Sequence, residues 1–372
     1  MAYNWELSDW PEFVFSSNDV EAILYDFAME TGEITGILRS LPADIQQESL
    51  LELMLSEAIK TSEIEGEFLS RLDVMSSIRN NLGLNETHEQ VRDPKARGIG
   101  ALMVDVRKTF SEPLTDKALF HWHKLLFTSE TRIQVGRWRT GAEPMQVISG
   151  SIGKEEVHFE APPSAIVPAE MERFLVWFNE TAPDGNRGIS SAPVRAAIAH
   201  LYFETIHPFE DGNGRIGRAI AEKTLSQTLG RPIMMSLSRT IEADRKGYYA
   251  ALKKAQRSNH ITEWINYFVN ITLQAQRESR ELIDFTLKKT QFFDQHKERL
   301  NERQLKVVQR MLEAGPAGFD GGMSAKKYMS IAKTSKATAT RDLQTLLEMN
   351  VLQAEGGGRS VRYNLTIGQK II

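Results

Sequence analysis

Apolar residues recur at spacings of three and four along most of the chain, which predicts a mainly α-helical protein. Leu51, Leu55 and Ile59 share one such helical face. A loop-like stretch rich in asparagine and glycine, around residues 80–85, is predicted to end this first region. Helices are predicted over Asn18–Leu41, Gln46–Ser70, Gly98–Phe110, Leu114–Phe127, Pro168–Asn179 and Pro193–Ile206, the last two with proline near the first helical position.

The interval 132–166 breaks the helical pattern. It is rich in glycine, proline and β-branched residues. Two short runs, Gln146–Ile148 and Glu156–Phe159, flank the turn-like sequence SGSIGK. These features predict a small β-hairpin on an otherwise helical body.

The C-terminal part of the chain has a different composition. After a helical segment at 297–312, residues 315–323 resemble a linker or turn. Two short helices with a break near Thr334–Ser335 are then predicted, followed by a glycine turn and a strand, which is a winged-helix order. Residues 324–364 hold seven Lys or Arg against three Asp or Glu, a local excess of four positive charges.

Composition restricts the function without naming it. The chain has 372 residues, enough for two or three domains, and 45 basic against 49 acidic residues give a net charge of −4. It contains no cysteine, which excludes disulfides, thiolate catalysis and zinc–thiolate sites. The acidic start is unlike a signal peptide, and no apolar run approaches the roughly 18 residues of a membrane helix. We therefore expect a cytoplasmic protein without a membrane partner.

The stretch HPFEDGNGRIGR, residues 207–218, has the features of an anion-binding loop. Pro208 disfavours helical geometry in the residue before it, so the preceding helix should stop at His207. The next helix is predicted to begin near Arg215 and to end at Gly230. Its first backbone N–H groups and the positive end of its dipole would point at whatever the loop holds.

The residues inside this loop favour phosphate as the anion. Gly212 and Gly214 would let the backbone approach closely, and Asn213 would add a side-chain donor. Arg215 and Arg218, three residues apart on one helical face, would grip neighbouring phosphates. The stretch lacks the lysine of a P-loop and is therefore a different kind of phosphate site.

A carboxylate in such a loop needs an explanation, because it would repel phosphate. Mg²⁺ is typically held by one or two carboxylates together with substrate phosphates, so Asp211 is the candidate metal ligand, and Glu210 receives no role. His207 stands at the mouth of the loop and titrates near neutral pH, so it would take the proton of an attacking hydroxyl. The residues therefore predict a nucleotide–Mg²⁺ site that activates a hydroxyl group.

The twelve-residue stretch resembles the signature of the Fic family, whose members transfer AMP from ATP to a protein hydroxyl. GRWRTG at 136–141 and the hairpin at about 145–160 resemble the region of the family's target-docking flap. TSEIEG at 61–66 resembles the family's inhibitory helix pattern, Ser/Thr-x-x-x-Glu-Gly/Asn. Its position before the core resembles the subclass with an N-terminal inhibitor, whose bacterial members commonly end in a winged helix.

This resemblance implies an autoinhibited protein adenylyltransferase that uses ATP with Mg²⁺ and modifies a Ser, Thr or Tyr hydroxyl of a target protein and of itself. By position, the resemblance makes His207 the base and Asp211 the Mg²⁺ ligand. It assigns phosphate binding to the residues already named for it, which are Gly212, Asn213, Gly214, Arg215 and Arg218. Glu65 would form a salt bridge with Arg218, the arginine that otherwise orients the γ-phosphate. Tyr248, at a later helix start, would contact the adenine, although a buried core tyrosine is equally consistent with the sequence.

Three parts are expected: an N-terminal helical region, 1–110, with the inhibitory helix at about 47–70; a Fic core, 111–290; and a winged-helix domain, 291–372. De-AMPylation and transfer of another phosphate-containing group remain alternatives. So does a DNA-binding regulator, in which residues 336–348 enter the major groove and the basic residues Lys336, Arg341, Arg359 and Arg362 meet phosphates. Winged helices often serve protein contacts instead, and family analogy favours a homodimer.

Overall fold

The computed structural model describes residues 2–16, 20–128, 130, 132–149, 156–315, 318–357 and 361–367. The chain divides into two compact units. The first comprises Met1–Ser40 and Leu50–Ser279, and the second comprises Leu41–Ser49 and Arg280–Ile372. Within the described residues the fold is mainly helical with small antiparallel strand pairs, as predicted. No helix in this part of the chain is both long and apolar enough to span a membrane.

The first unit is built from helices and one β-hairpin, in which β1 (Gln146–Ser149) pairs with β2 (Glu156–Glu160). The turn between these strands, residues 150–155, lies outside the described residues. The second and the last of its helices also contribute residues to the second unit. The helices are α1 (Glu21–Ser40), α2 (Ala43–Ile64), α3 (Arg71–Leu82), α4 (Pro94–Lys108), α5 (Asp116–Leu126), α6 (Val167–Glu180), α7 (Ala192–Ile206), α8 (Asn213–Leu229), α9 (Leu237–Ala243), α10 (Arg245–Ala255) and α11 (Thr262–His296).

The helix boundaries around Gly66 differ from the sequence-based expectation. The helix expected to run to Ser70 ends at Ile64, because Gly66 adopts φ +78° and turns the chain. A separate helix, α3, then follows Ser70, whose hydroxyl accepts a hydrogen bond from the backbone N–H of Asp73. It is capped at its other end by Gly83, with φ +73°. Asn80 and Asn81, which were expected in a loop, therefore lie in its last turn.

Helix α7 is the centre of the first unit, since all of its residues are buried. One apolar cluster, which includes Trp122 and Phe203, lies on one side of it, and a second, which includes Leu201 and Trp264, lies on the other. Burying a side chain such as Phe203 contributes about 1.5–3 kcal/mol. The end of α7 is therefore a rigidly supported point in the fold.

The second unit contains α12 (Glu302–Leu312), α13 (Ala325–Ala332), α14 (Lys336–Glu348), β3 (Leu352–Glu355) and β4 (Arg362–Leu365). The two strands pair antiparallel, and the order of elements is the one the sequence predicted. Asp342 on α14 is buried and accepts hydrogen bonds from Arg303 Nε at 3.0 Å and from the Tyr328 hydroxyl at 3.0 Å. Residues 316–317 of the expected linker, and Arg359 in the glycine turn, lie outside the described residues.

Candidate active site

His207, the predicted base, caps α7 as expected. Its backbone adopts φ +49° and ψ +58°, a left-handed conformation that is uncommon for a residue with a side chain. Burial and, to a smaller extent, the nearby Arg139 charge lower the pKa of its imidazole to about 4, against the opposing effects of the Glu204 backbone and the Glu65 carboxylate. The imidazole is therefore neutral at pH 7, the state in which it can accept a proton.

Arg139, from the GRWRTG segment, holds this strained turn in place. Its Nε donates to the carbonyl of His207 at 2.8 Å, and its terminal nitrogens donate to the carbonyls of Ile206 at 3.3 Å and Pro162 at 2.5 Å. It also donates to the hydroxyl of Ser164 at 2.7 Å. One buried side chain thus ties the end of α7 to the segment that leaves the hairpin.

The loop after His207 is closed by its own side chains. The amide of Asn213 accepts from the backbone N–H of Phe209 at 2.9 Å and donates to the Phe209 carbonyl at 2.8 Å. The Asn213 side chain, expected to donate to an anion, is therefore used to fold the loop. Its backbone still belongs to the first turn of α8, where helical N–H groups lack an intrahelical partner.

His123, on α5, contacts the backbone and a side chain of the loop. Its Nδ1 accepts the backbone N–H of Gly136 at 2.9 Å, so its Nε2 carries the proton and donates to the carbonyl of Asp211 at 3.2 Å. Its ring stacks on Phe209 with centroids 4.2 Å apart. The pKa of His123 is lowered to about 4, chiefly by burial, so this contact is made by a neutral imidazole.

The two glycines of the loop are both needed for close approach. Gly212 has φ +80°, and a Cβ there would meet the ring of Phe127. A Cβ at Gly214 would clash with Oε1 of Glu65. The Glu65 carboxylate therefore lies against the first turn of α8, where an anion would be bound.

Glu65 and Arg218 form the predicted salt bridge. Nη2 of Arg218 lies 2.6 Å from Oε1 of Glu65, and only 1% of the Arg218 side chain is exposed. Thr61 takes up two further donors of the same guanidinium, through its hydroxyl at 2.7 Å and its carbonyl at 3.0 Å. Burial alone would raise the pKa of Glu65 and lower that of Arg218, but their mutual attraction lowers the first and raises the second.

Arg215, the other arginine of the motif, is paired with Glu67. Its Nη1 lies 2.7 Å from Oε2 of Glu67, and its side chain is 4% exposed. The second oxygen of Glu67 accepts from Nζ of Lys95 on α4 at 2.7 Å. The guanidinium carbon lies 5.1 Å from the centre of the Phe127 ring. The sequence did not single out Glu67, because an acid beside a glycine carries no signal of a distant partner.

A cavity of about 740 Å³ opens above this loop, within the size range of small-molecule sites. The hairpin forms one wall through Val147 and Phe159, while Glu65, His207 and Arg218 lie among the residues of the floor. Tyr248, the predicted adenine contact, also lines it. Its hydroxyl, however, is hydrogen-bonded to Nε2 of the buried His200 at 2.7 Å, and it is 1% exposed. Its neighbour Tyr249 is 40% exposed in the same wall.

The carboxylates of the loop have different surroundings. Oε2 of Glu210 accepts from the backbone N–H of Gln134 at 2.8 Å, so it anchors an adjacent loop. The Asp211 side chain is 60% exposed and lines the cavity, with Oδ1 accepting from the N–H of Gly212 at 2.5 Å. The described residues contain no group of three or more acidic or histidine side chains able to hold a metal. A metal here would need oxygen ligands from a substrate.

Comparison with known proteins identifies this architecture. The Fic/DOC family matches residues 113–225, and a domain of unknown function, DUF4172, matches residues 3–84. A probable protein adenylyltransferase of Aquifex aeolicus is 26% identical over 131 residues, 31% of this chain and 37% of that protein. A Fido domain-containing protein of Dictyostelium discoideum is 30% identical over 112 residues, 30% of this chain and 75% of that protein.

A solved structure resembles this chain over a greater length than these relatives do. The crystal structure of a Fic family protein from Desulfovibrio desulfuricans matches 97% of this chain and 99% of its own, with a TM-score of 0.54 and 19% identity, which shows likeness of fold. This chain spans just over a third of the Aquifex relative, but three quarters of the Dictyostelium one at 30% identity. It belongs to the Fic/DOC family.

Proposed function

We propose that this protein is a protein adenylyltransferase that is held inactive by Glu65. It transfers AMP from ATP to a Ser, Thr or Tyr hydroxyl of a target protein and of itself. One observation carries the proposal: the Glu65 carboxylate lies on Arg218 and against Gly214, in the cavity that also holds His207. A carboxylate in an anion site beside a neutral histidine is what a blocked phosphate-transfer site would contain.

The chemistry follows from the positions of these side chains. The target hydroxyl oxygen attacks the α-phosphorus of ATP, the bond to the oxygen that bridges to the β-phosphate breaks, and diphosphate leaves. His207 takes the hydroxyl proton, which its neutral imidazole allows. The glycines and first N–H groups of α8 would hold phosphate oxygens, and Arg218 would orient the γ-phosphate once Glu65 has left it.

Asp211 fits the role of a Mg²⁺ ligand. Its carboxylate is exposed to the cavity, and one carboxylate together with substrate phosphates is a usual donor set for this ion. Bound Mg²⁺ would neutralise the charge of the phosphates. Asp211 itself is held by the His123 contact to its carbonyl and by its bond to the Gly212 N–H, so its carboxylate has a fixed place at the rim.

The test compares transfer of the α- and γ-phosphates. Wild type, Glu65→Gly and Glu65→Gly/His207→Ala proteins are incubated with ATP labelled at one phosphate or the other, and protein-bound label is measured. We expect strong α-label on the Glu65→Gly protein, weak label on wild type and none on the double variant. Bound γ-label would instead show phosphate transfer, and equal α-label on wild type and Glu65→Gly would remove the inhibitory role of Glu65.

The second unit supports a second, compatible function. We propose that it is a winged helix that binds DNA through α14. Asp342 is turned inward onto Arg303, while Lys336 and Arg341 stand exposed on the outer face of the helix. The outer face is therefore more basic than the sequence of α14 suggests.

Gel-shift measurements with the whole chain over a salt series would test this. A Lys336→Ala/Arg341→Ala variant should bind DNA more weakly and show a shallower salt dependence, since each phosphate contact contributes about one unit to the slope. A Glu348→Gln variant serves as a control on the same helix. If wild type shows no shift at low salt, the unit has another partner, such as a protein.

A further inference from the structure

The inhibitory segment ends in the sequence Glu65-Gly66-Glu67, and this turn directs two carboxylates at two different arginines. Gly66 has φ +78°, and the N–H groups of Gly66 and Glu67 donate to the carbonyls of Glu63 and Ser62. A non-glycine residue would be strained there. The turn at Gly66 thus fixes the backbone positions of Glu65 before it and Glu67 after it.

The two arginines are those of the motif. Arg215 and Arg218 stand three residues apart on α8, so their side chains leave the same face of the helix. Arg218 is held by Glu65 at 2.6 Å, and Arg215 by Glu67 at 2.7 Å. Both predicted phosphate ligands of α8 are therefore neutralised by consecutive acids of one turn.

Arg215, which is paired with Glu67, is not among the described residues that line the cavity, although Arg218 is. Its Nε is buried and has no hydrogen-bond partner within the described part of the chain. A buried donor without a partner is unfavourable, so a contact that supplies an acceptor for this N–H would stabilise Arg215.

We propose that Glu67 is a second inhibitory residue, which competes with the nucleotide for Arg215. The inference rests on the proposed function in one respect, that the cavity binds a nucleotide. Glu65 and Glu67 then act on different arginines. Removing Glu65 frees Arg218 for the γ-phosphate but leaves Arg215 withdrawn, so the single change gives incomplete release.

Because Glu67 is also bound to Lys95, its salt bridge with Arg215 does not depend on Glu65. Oε1 of Glu67 stays with Lys95 of α4 while Oε2 stays with Arg215. Opening the site at Arg215 therefore requires displacement of a carboxylate that is anchored to α4. A ligand that binds only the opened state has its apparent affinity reduced by the fraction of molecules that are open.

ATP binding measures this fraction without requiring transfer. We compare the affinity of Glu65→Gly and Glu65→Gly/Glu67→Ala proteins for ATP with Mg²⁺ by calorimetry. Removing Glu67 should increase the affinity about tenfold, equivalent to about 1.4 kcal/mol. Glu67→Gln, which removes the charge and keeps the shape, should give a smaller increase in the same direction, and it decides the question if the alanine variant does not fold.

Two matched variants show whether the effect belongs to Arg215. Glu63→Gln removes an acid from the same turn that pairs with Lys60 at 2.6 Å, and it should leave the ATP affinity unchanged. Lys95→Met frees Glu67 from α4 but leaves it on Arg215, so it should raise the affinity less than removal of Glu67 does. An affinity change below twofold in both Glu67 variants, or an equal gain in the Glu63 variant, would overturn the inference.

The two proposals can fail separately. If Glu65→Gly transfers α-label but the Glu67 variants bind ATP like their parent, the function stands and the role of Glu67 is wrong. If the Glu67 variants bind ATP more tightly but nothing is transferred, Glu67 controls a nucleotide site with a different use.

Discussion

Replacing Arg139 with alanine should destabilise the first unit strongly, because this side chain joins the end of α7 to the exit of the hairpin. Arg139 is 3% exposed and donates four hydrogen bonds, three of them to backbone carbonyls at the His207 turn and at Pro162. At about 1.5–3 kcal/mol for each bond to a charged group, the four would contribute about 6–12 kcal/mol.

The burial of the charge offsets part of this. Burial lowers the pKa of Arg139 to about 10, a penalty of about 3 kcal/mol for the charged form. Because such contributions are not additive, and because water can enter the space left by the side chain, we expect a loss near the lower end, about 3–5 kcal/mol, for Arg139→Ala. Arg139→Lys keeps the charge but not the planar fork, and should lose less.

Tryptophan fluorescence during urea unfolding is a suitable assay. All six tryptophans lie in the first unit, so the signal does not report on the second. Arg137→Ala, an exposed arginine of the same segment, is the control and should change the free energy of unfolding by less than about 0.5 kcal/mol. If Arg139→Ala is within about 1 kcal/mol of wild type, the reasoning from its four bonds is wrong.

Two further predictions concern the same unit and the same assay. His123 and His200 are buried with pKa values of about 4. At these two sites the unfolded chain therefore binds more protons below pH 6.5, so their contribution to stability should fall between pH 6.5 and 4, by up to about 3 kcal/mol for each, and stay level above pH 7. The buried carboxyls of Glu204 and Glu222, whose pKa values are raised to about 8, act in the opposite sense. The measurement is therefore the difference in unfolding midpoint between wild type and a His123→Gln variant, and a difference that does not change with pH across that window would contradict this. A Cβ at Gly98 would clash with the carbonyl of Leu125, so Gly98→Ala should cost about 1–3 kcal/mol. Gly32→Ala, where nothing lies within 4 Å, should instead stabilise by up to about 1 kcal/mol, and a similar loss at both glycines would contradict the steric argument.

Local signals in the sequence predicted the elements that carry the motif. Pro208 placed the end of α7 correctly, and the two short runs that flank the SGSIGK turn placed the hairpin, because both effects act between near neighbours. The chain around Gly66 was predicted less well. A glycine inside a periodic run can be tolerated in a helix, and only the structure shows that this one turns the chain.

Long-range contacts were the part that the sequence could not supply. Arg139 and His123 touch the motif across about 70 to 90 residues of chain, and neither side chain stands in a pattern that announces its partner. Asn213 was assigned to the anion because its amide can donate, yet the amide closes the loop instead. The hydrogen-bond donors in a motif therefore do not show by themselves which of them are already used in hydrogen bonds within the protein.

The charges of the Glu65–Arg218 pair limit what could release the site. Attraction to Arg218 lowers the pKa of Glu65 below 4.5, so its stabilising contribution is present at neutral pH and is lost only as the pH falls through that lowered value. The pKa of Arg218 is raised above the usual arginine value, so its guanidinium stays charged at neutral and alkaline pH. Because the arginine side chain is 1% exposed, dissolved salt screens the pair poorly. Neither pH nor ionic strength near physiological values can therefore open it. If Glu65 inhibits as proposed, release would come from a competitor for the arginine, or from a binding partner or a covalent change that moves the turn at residues 61–67.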